Sequence, residues 1–181
     1  MRTRATMLLV AVGFSVTLAP WAFAAPGPDD VLGIWYTDGN SARVEVYKDK
    51  ENKYHGKIVW LKDPLYEEGH KDAGKPKTDQ NNPDPEKHNN PIIGLNLVQG
   101  FDFDGETWSG GTVYDPENGK TYKCMMTLDG ADTLNVRGYL GIPALGRTTV
   151  WKRVPKEVLE KEKTDAATQS AAPQEQSAPA K

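Results

Sequence analysis

The sequence has a single cysteine, no block of basic residues and only three histidines. Cys124 cannot form an internal disulfide, so the fold must be held together by its hydrophobic core. We expect its thiol to be buried and inert, the alternative being a reactive or dimer-forming thiol. The formal net charge of −3 argues against nucleic-acid partners and against binding to anionic membrane surfaces.

Residues that carry catalysis or hold metals are also scarce. The three histidines lack metal-ligand spacing, and Asp79, Asn81 and Asp84 lack the glycine and closing glutamate of a calcium loop. The sequence contains no Gly-x-Ser-x-Gly elbow and no phosphate-binding loop. We therefore expect no metal site, no cofactor and no catalytic residue.

The first 24 residues have the organisation of a secretory signal peptide. Arg2 and Arg4 precede an apolar run over residues 7–18, and Ala22-Phe23-Ala24 is a small-x-small cleavage signal. The apolar run is too short to span a bilayer. We expect cleavage between Ala24 and Ala25, a mature chain with a formal charge of −5, and a periplasmic or secreted location.

Residues 29–154 form one predicted domain made almost entirely of strands. Alternating apolar and polar residues predict eight strands, at 31–36, 42–48, 54–61, 92–99, 107–114, 121–128, 133–140 and 148–154. Asp104-Gly105, Asp129-Gly130 and the run from Asp115 to Gly119 predict hairpin turns between them. Short, regularly spaced strands indicate an all-β, antiparallel fold, and we interpret it as a closed barrel.

Two segments do not fit the pattern of regularly spaced strands. Residues 62–90 are rich in charge and proline and contain no convincing strand or helix, so they form either a lid over one mouth of the barrel or a solvated insertion. Residues 155–181 are predicted to be a disordered tail, with a short charged helix over 156–163.

The opening strand predicts how the barrel is closed. Gly33 and Trp35 lie on one face of an extended strand, where an indole beside a residue without a side chain suits a crowded position. We expect Trp35 to plug one end of the barrel. An ordinary core tryptophan is the alternative.

The order of motifs resembles a family of small exported bacterial proteins known as domain of unknown function 2147. The matching motifs are Gly33-Ile34-Trp35, Gly56-Lys57-Ile58-Val59-Trp60, Asn82-Pro83-Asp84-Pro85, Pro91-Ile92-Ile93-Gly94-Leu95, Trp108-Ser109-Gly110-Gly111, Tyr114-Asp115-Pro116, Gly119-Lys120-Thr121-Tyr122, Leu134 to Tyr139, Gly146-Arg147-Thr148 and Trp151-Lys152-Arg153-Val154. The resemblance implies a lipocalin-like barrel of the calycin type, with no assigned enzymatic activity. It also implies that Arg153, or Arg147, stacks over Trp35. Arginines common in the family are replaced here by His88 and Asn90, which puts any anion contact at those positions in doubt.

The interior of an eight-stranded barrel is either filled by side chains or lined around one small ligand. The predicted ligand-binding residues are Trp60, Trp108, Tyr122, Met126 and Arg137, although the same set fits plain core packing. Arg137 would be a polar anchor if it points inward. Alternation favours Leu134 and Val136 as the inward pair, which would leave Arg137 solvated.

Three functions are compatible with this sequence. The first is an exported, lipocalin-like protein that binds a small apolar or amphipathic molecule without catalysis. The second is a filled barrel that serves as a protein-interaction module of the cell envelope. The third is an enzyme acting on envelope lipids or saccharides, which would need two titratable groups converging in the cavity. The sequence carries no signal for a particular oligomeric state.

Overall fold

The computed structural model of the protein describes residues 25–171, with side chains described as far as Thr168. The expected signal peptide and residues 172–181 of the expected tail lie outside the described residues. No helix in the described part of the chain is long and apolar enough to cross a membrane.

Eight antiparallel strands form a closed barrel in which each strand pairs with the next along the chain and the last pairs with the first. The strands are β1 (Gly33–Tyr36), β2 (Ala42–Lys48), β3 (Tyr54–Leu61), β4 (Asn96–Phe103), β5 (Trp108–Asp115), β6 (Lys120–Leu128), β7 (Thr133–Tyr139) and β8 (Arg147–Arg153). Trp35 lies opposite Arg153 where β1 meets β8. The predicted all-β, antiparallel, eight-stranded barrel is confirmed.

Inward-facing side chains of the strands form the core. The core consists of Val31, Trp35, Ala42, Val44, Val46, Tyr54, Ile58, Ile92, Val98, Phe101, Trp108, Cys124, Met126, Leu134, Val136 and Trp151. Glycine occurs in a strand where a large side chain of the neighbouring strand packs directly against the backbone. A Cβ on Gly111 would overlap the ring of Phe101 and lie 2.6 Å from the carbonyl oxygen of Gln99. Glycine is therefore required there by packing rather than by backbone conformation.

The fourth strand begins four residues later than the predicted strand over 92–99. Gly94 has a φ of 99°, which breaks the extended backbone before β4 begins at Asn96. Ile92 is buried all the same and belongs to the core. Its apolar character was therefore a correct signal for burial, but the residue lies in the preceding loop.

The segment between β3 and β4 is compact. Isolated bridges join Leu65 to Pro76 and Thr78 to Pro91, and a 3₁₀ turn covers Pro85–Lys87. Two more 3₁₀ turns, Asp38–Asn40 and Pro143–Leu145, lie between β1 and β2 and between β7 and β8. The long segment is thus folded against itself and is available to build a wall at one end of the barrel.

An α-helix, α1 (Lys156–Ala171), follows β8. It extends beyond the short helix expected over 156–163, so residues 164–171 of the expected disordered tail are helical. These residues include no proline and several good helix formers. One side chain, Glu162, also reaches the barrel and pairs with Arg43, which gives the helix a tertiary contact that composition alone does not reveal.

Candidate functional site

One end of the barrel is closed by an indole under a guanidinium. The Cζ atom of Arg153 lies 4.0 Å from the centre of the Trp35 ring, which is fully buried. The indole Nε1 donates a hydrogen bond to the carbonyl oxygen of Val31 at 2.9 Å. This stacking combines a cation–π attraction with a satisfied indole N–H in a water-excluded position.

Arg153 also ties the chain leading into β1 to the end of the barrel. Its guanidinium donates hydrogen bonds to the carbonyl oxygens of Leu32, Asp30 and Ala131 at 2.8, 2.6 and 2.8 Å. Burial lowers the pKa of Arg153, while the nearby carboxylates of Asp30 and Asp132 act in the opposite direction. Gly33 adopts a φ of 122°, and a Cβ there would lie 3.1 Å from the guanidinium. The residues predicted to close the barrel therefore meet at this end.

Two of the predicted ligand-binding residues fill this closed half instead of lining a cavity. Trp108 is fully buried, packs 4.6 Å from the ring of Phe103 and donates its Nε1 proton to the carbonyl oxygen of Pro28 at 3.1 Å. Met126 is also fully buried. They occupy the end at which β5 begins and β6 ends, away from the cavity described next.

The other half of the barrel contains an open cavity of about 1030 Å³. Its apolar wall is formed by Ala42, Ile58, Leu61, Ile92, Leu97, Val113, Val136 and Trp151. Its polar rim includes Asp38, Asp63, His70, Lys77, Gln80, Asp115, Glu117 and Arg147. Apolar walls with a small number of polar groups at the mouth are typical of sites for small molecules.

Tyr122 is the one predicted ligand-binding residue that lines this cavity. It is half-buried, and its hydroxyl accepts a hydrogen bond from the side-chain amide of Asn118 at 3.3 Å. Trp151, which also lines the cavity and is almost fully buried, was not among the predicted residues. The sequence did contain a signal for this placement, because Trp151 lies two positions after Thr149 on the last strand and the two side chains therefore share one face.

Trp60 lies on the outer face of the barrel because β3 contains a bulge. Arg43 pairs with Trp60 and Val44 pairs with Ile58, so Val59 has no residue opposite it. The extra residue reverses the alternation, which turns Trp60 outward although it is two positions after the inward-facing Ile58. The expectation that Trp60 contributes to the ligand site does not fit this placement.

The outward-facing Trp60 packs against Arg43. The Cζ atom of Arg43 is 4.6 Å from the Trp60 ring and 4.9 Å from the Tyr36 ring, and its two terminal nitrogens bind the carboxylate of Glu162 at 2.7 and 2.9 Å. The hydrogen bond to Arg43 lowers the pKa of Glu162. This cluster attaches α1 to the barrel and lies outside the cavity.

Arg137 also points outward. Its guanidinium donates to the carbonyl oxygens of Pro143 and Ala144, at 2.7 and 3.2 Å, and to the hydroxyl of Thr148 at 2.7 Å. Leu134 and Val136 are the buried pair on this strand, as alternation favours. Arg137 therefore organises the β7–β8 loop, and it is not among the residues that line the cavity.

A buried carboxylate connects the long segment to the barrel. Asp79 is 1% exposed, and its carboxylate accepts hydrogen bonds from the Tyr114 hydroxyl at 2.7 Å and from the Asn82 side-chain amide at 2.6 Å. Burial, together with the bond to Asp79, raises the pKa of Tyr114 to about 12. The pair joins residues 35 positions apart, and no local sequence pattern identifies such a contact.

A second contact fixes the same segment to the β5–β6 turn. The side-chain amide of Asn81 donates to the carbonyl oxygens of Pro116 and Glu117 at 3.2 and 2.9 Å. A Cβ on Gly119 would overlap the carbonyl oxygen of Asn81. His88 and Asn90 make contacts within the segment. The His88 Nε2 lies 2.7 Å from the carbonyl oxygen of Asn82, and the Asn90 carbonyl oxygen accepts a hydrogen bond from the Asp79 N–H. Residues 62–90 thus contribute a fixed wall to the mouth.

The rim of the cavity carries titratable side chains, among them Asp63, His70 and Glu117. The described residues contain no group of three or more His, Cys, Asp or Glu side chains arranged to hold a metal ion. Cys124 is buried in the core, and burial raises the pKa of its thiol to about 12. Such a thiol is protonated at neutral pH and is a poor nucleophile.

Residues 33–153 match the model of a family described as an uncharacterized protein conserved in bacteria (DUF2147). The chain belongs to this family. The matched region begins with β1 and ends with β8, so it coincides with the barrel. No curated protein matches the chain.

Among solved structures, this DUF2147 barrel is similar to a protein from the human pathogen Helicobacter pylori, HP1028, which is described as belonging to the lipocalin family. The TM-score is 0.62 at 24% sequence identity, and the similarity covers 74% of this chain and 88% of that chain. At this identity the comparison shows a shared lipocalin-like fold, in agreement with the resemblance in the sequence.

Proposed function

We propose that this protein is an exported binding protein for a small apolar or amphipathic molecule, held in the open half of the barrel. The observation that carries the proposal is the cavity of about 1030 Å³, with an apolar wall and a polar rim. Lipocalin-like barrels of eight strands are wide enough to hold one small ligand.

The division of the cavity into wall and rim favours an amphipathic ligand. Aliphatic side chains and Trp151 surround the deeper part, and carboxylates, Lys77 and Arg147 surround the mouth. Burying apolar ligand surface against the wall stabilises the complex by roughly 25 cal/mol per Å². The polar end of the ligand keeps its hydrogen bonds at the rim, which avoids the cost of burying unpaired polar groups.

The fixed position of residues 62–90 supports binding without large rearrangement. Asp79 and Asn81 hold this segment against β5 and the β5–β6 turn. A preformed wall reduces the ordering cost that binding would otherwise incur. The proposed export follows from the signal-peptide pattern at residues 1–24, and amino-terminal sequencing of protein recovered from cell fractions tests it.

The binding proposal is tested with the apolar fluorophore N-phenyl-1-naphthylamine. We expect its emission to rise on binding, with energy transfer from Trp151 in the cavity wall. Val113→Phe places a bulky ring in the cavity and should weaken the signal, whereas the matched variant Val150→Phe, on the outer face of β8, should retain it. Equal binding by both variants, or no binding by the native protein, would overturn the proposal.

Native mass spectrometry of protein purified from its own host identifies the ligand class. A co-purifying molecule that is lost from Val113→Phe and retained by Val150→Phe would support the same cavity. A molecule retained equally by both variants would place the site elsewhere and contradict the proposal.

A further inference from the structure

The loop between β7 and β8 presents large aliphatic side chains to solvent. Leu140, Ile142 and Leu145 are 67%, 58% and 80% exposed, and Val150 on the adjacent strand is 42% exposed. Within residues 25–168, the other large apolar side chains with comparable exposure are Leu65 and Ile93. We call residues 139–146 the β7–β8 tip. A cluster of exposed apolar side chains marks an interaction surface, whereas isolated exposed apolar side chains are common on protein surfaces.

The tip is held in place by its own hydrogen bonds. Arg137 binds the carbonyl oxygens of Pro143 and Ala144, and the Gly146 N–H donates to the Pro143 carbonyl oxygen at 2.9 Å. The 3₁₀ turn Pro143–Leu145 gives the centre of the tip a regular conformation. The aliphatic side chains are thus displayed by a defined structure, which favours a role in contact with a partner.

The strands that carry the tip have a charge distribution unlike that of the whole chain. Residues 133–156 contain no acidic residue. The basic residues of β6, β7 and β8 are Lys120, Lys123, Arg137, Arg147, Lys152 and Arg153, and the only acidic residues between positions 120 and 155 are Asp129 and Asp132. Both belong to the β6–β7 turn, at the closed end of the barrel. The β5–β6 turn, at the mouth end, carries Asp115 and Glu117, which line the cavity.

We propose that the β7–β8 tip docks this protein on the surface of an anionic phospholipid bilayer. Leu140, Ile142 and Leu145 would enter the boundary between headgroups and acyl chains. Lys123 and Arg147 would then face the lipid phosphates, because Lys123 lies opposite Tyr139 and Arg147 lies opposite Gly138 on the neighbouring strands. Aliphatic insertion combined with basic residues is the combination that binds proteins to anionic membrane surfaces.

A second copy of the chain fits this surface less well. A two-fold interface through the tip would place the same patch of each protomer face to face. The cations at the base of the tip would then approach their own copies, and like charges brought together oppose association. A bilayer offers phosphates of opposite charge to the same cations.

The net charge of −3 argued against binding to anionic membranes. The fold, however, places acidic and basic residues on different parts of the barrel, so the net charge does not describe each part. Carboxylates are absent from β7 and β8, whereas Arg137 on β7 and Arg147 on β8 lie near the tip, and Lys152 and Arg153 lie at the closed end of β8. Docking itself does not depend on what the cavity binds. If the proposed function holds, docking also brings the mouth close to the bilayer, since Gly138, Arg147 and Thr149 line the cavity.

Vesicle flotation with the mature protein tests the proposal. We expect binding to vesicles that contain phosphatidylglycerol and phosphatidylcholine, and much weaker binding to pure phosphatidylcholine. The double variant Leu140→Ser/Leu145→Ser should lower the partition coefficient at least about tenfold. The matched double variant Leu65→Ser/Ile93→Ser should leave it unchanged. Circular dichroism and fluorophore binding in the cavity verify that both variants are folded.

A second measurement tests whether the tip lies at the membrane. Leu145→Cys, in the tip, and Ala131→Cys, in the exposed β6–β7 turn at the closed end, are each labelled with an environment-sensitive fluorophore. The buried Cys124 reacts poorly with this label. Only the label at position 145 should shift to shorter wavelength with anionic vesicles. Equal shifts at both positions, no vesicle binding by the native protein, or a dimer lost in the tip variant without vesicle binding would each overturn the proposal. Fluorophore binding in the cavity is measured separately, so failure of docking and failure of the proposed function are distinguishable.

Discussion

The two halves of the barrel are built from the same eight strands but have opposite interiors. At the closed end, Trp35, Phe101, Trp108 and Met126 are fully buried against one another and the chain leading into β1. At the open end, smaller aliphatic residues leave a cavity of about 1030 Å³. Side-chain size at inward positions, rather than strand number, therefore decides whether this barrel is filled or hollow.

The halves also differ in how the surrounding chain is used. Residues 25–32 cross the closed end and are fixed by Arg153, which binds the carbonyl oxygens of Asp30 and Leu32. The long segment over 62–90 borders the open end without covering it, and Asp79 fixes it to Tyr114. Tight packing is thus concentrated at one end and the proposed binding at the other, so substitutions at the two ends should have separable effects.

The largest expected effect is at the closed end. Trp35→Ala removes the indole beneath Arg153 and should lower the free energy of unfolding by about 3–5 kcal/mol. Trp151→Ala is the matched change in the wall of the cavity, and we expect it to cost at least about 1 kcal/mol less, because that indole already borders the cavity. Urea unfolding followed by circular dichroism measures both. Equal losses would contradict the division between a filled half and a hollow half.

Adding volume should have opposite consequences in the two halves. Gly111→Ala places a methyl group against the Phe101 ring and should cost about 2–3 kcal/mol. Val113→Leu, two positions along the same strand, extends into the cavity and should change the free energy of unfolding by less than about 1 kcal/mol. The second variant should instead weaken binding of N-phenyl-1-naphthylamine. If both variants lost stability equally, the open half would be as tightly packed as the closed half.

Much of the barrel was predictable because alternation and turn residues are local signals. The hairpin from β5 to β6 follows from alternating strands around Asp115 and Gly119, which the structure joins by a 2.8 Å hydrogen bond from the glycine N–H to the aspartate carbonyl oxygen. The approach of Arg153 to Trp35 is what the resemblance to the DUF2147 family implied, with Arg147 as the alternative.

The candidate site was less predictable because it depends on irregular positions. A single unpaired residue, Val59, turns Trp60 outward, and no residue type announces such a bulge. The contact between Asp79 and Tyr114 joins a proline-rich loop to a strand, where periodicity carries no information. Aromatic residues were a correct signal for burial, but Trp108 is buried in the closed half, so burial did not identify the cavity.

The attachment of the long segment can be tested by a pair of glycines. Gly119 and Gly130 have φ values of 69° and 70°, so alanine at either position costs about 1 kcal/mol in backbone strain. Only Gly119→Ala also collides with the Asn81 carbonyl, and we expect a total loss of about 2 kcal/mol with faster proteolysis within residues 62–90. Equal proteolysis of the two variants would show that the segment is not fixed at this turn.

Tyr114→Phe should have a smaller effect on the same segment. It removes the hydroxyl that donates to Asp79, and we expect a loss of about 1–1.5 kcal/mol, since the Asn82 amide continues to bind the carboxylate. The raised pKa of Tyr114, about 12, means that its contribution is present below pH 10 and is lost as pH rises from about 10 to 12. Absorbance titration of the native protein should show a late tyrosine transition that Tyr114→Phe lacks. Identical titration curves would contradict the assignment.

The smallest expected effect concerns the attachment of α1 outside the barrel. Glu162 is about half exposed, so Glu162→Gln should change the free energy of unfolding by only about 0.2–1 kcal/mol. Because Arg43 lowers the pKa of Glu162, the contribution is present above the ordinary carboxyl pKa of about 4.3 and is lost as pH falls below it. Hydrogen exchange of the α1 backbone is the sensitive measurement, and Glu160→Gln, which loses only a pair with Lys163 on the same helix, is the control. We expect reduced protection of α1 in Glu162→Gln alone, with cavity binding unchanged in both variants. Equal protection in the two variants would mean that the helix is held by something other than the carboxylate bound to Arg43.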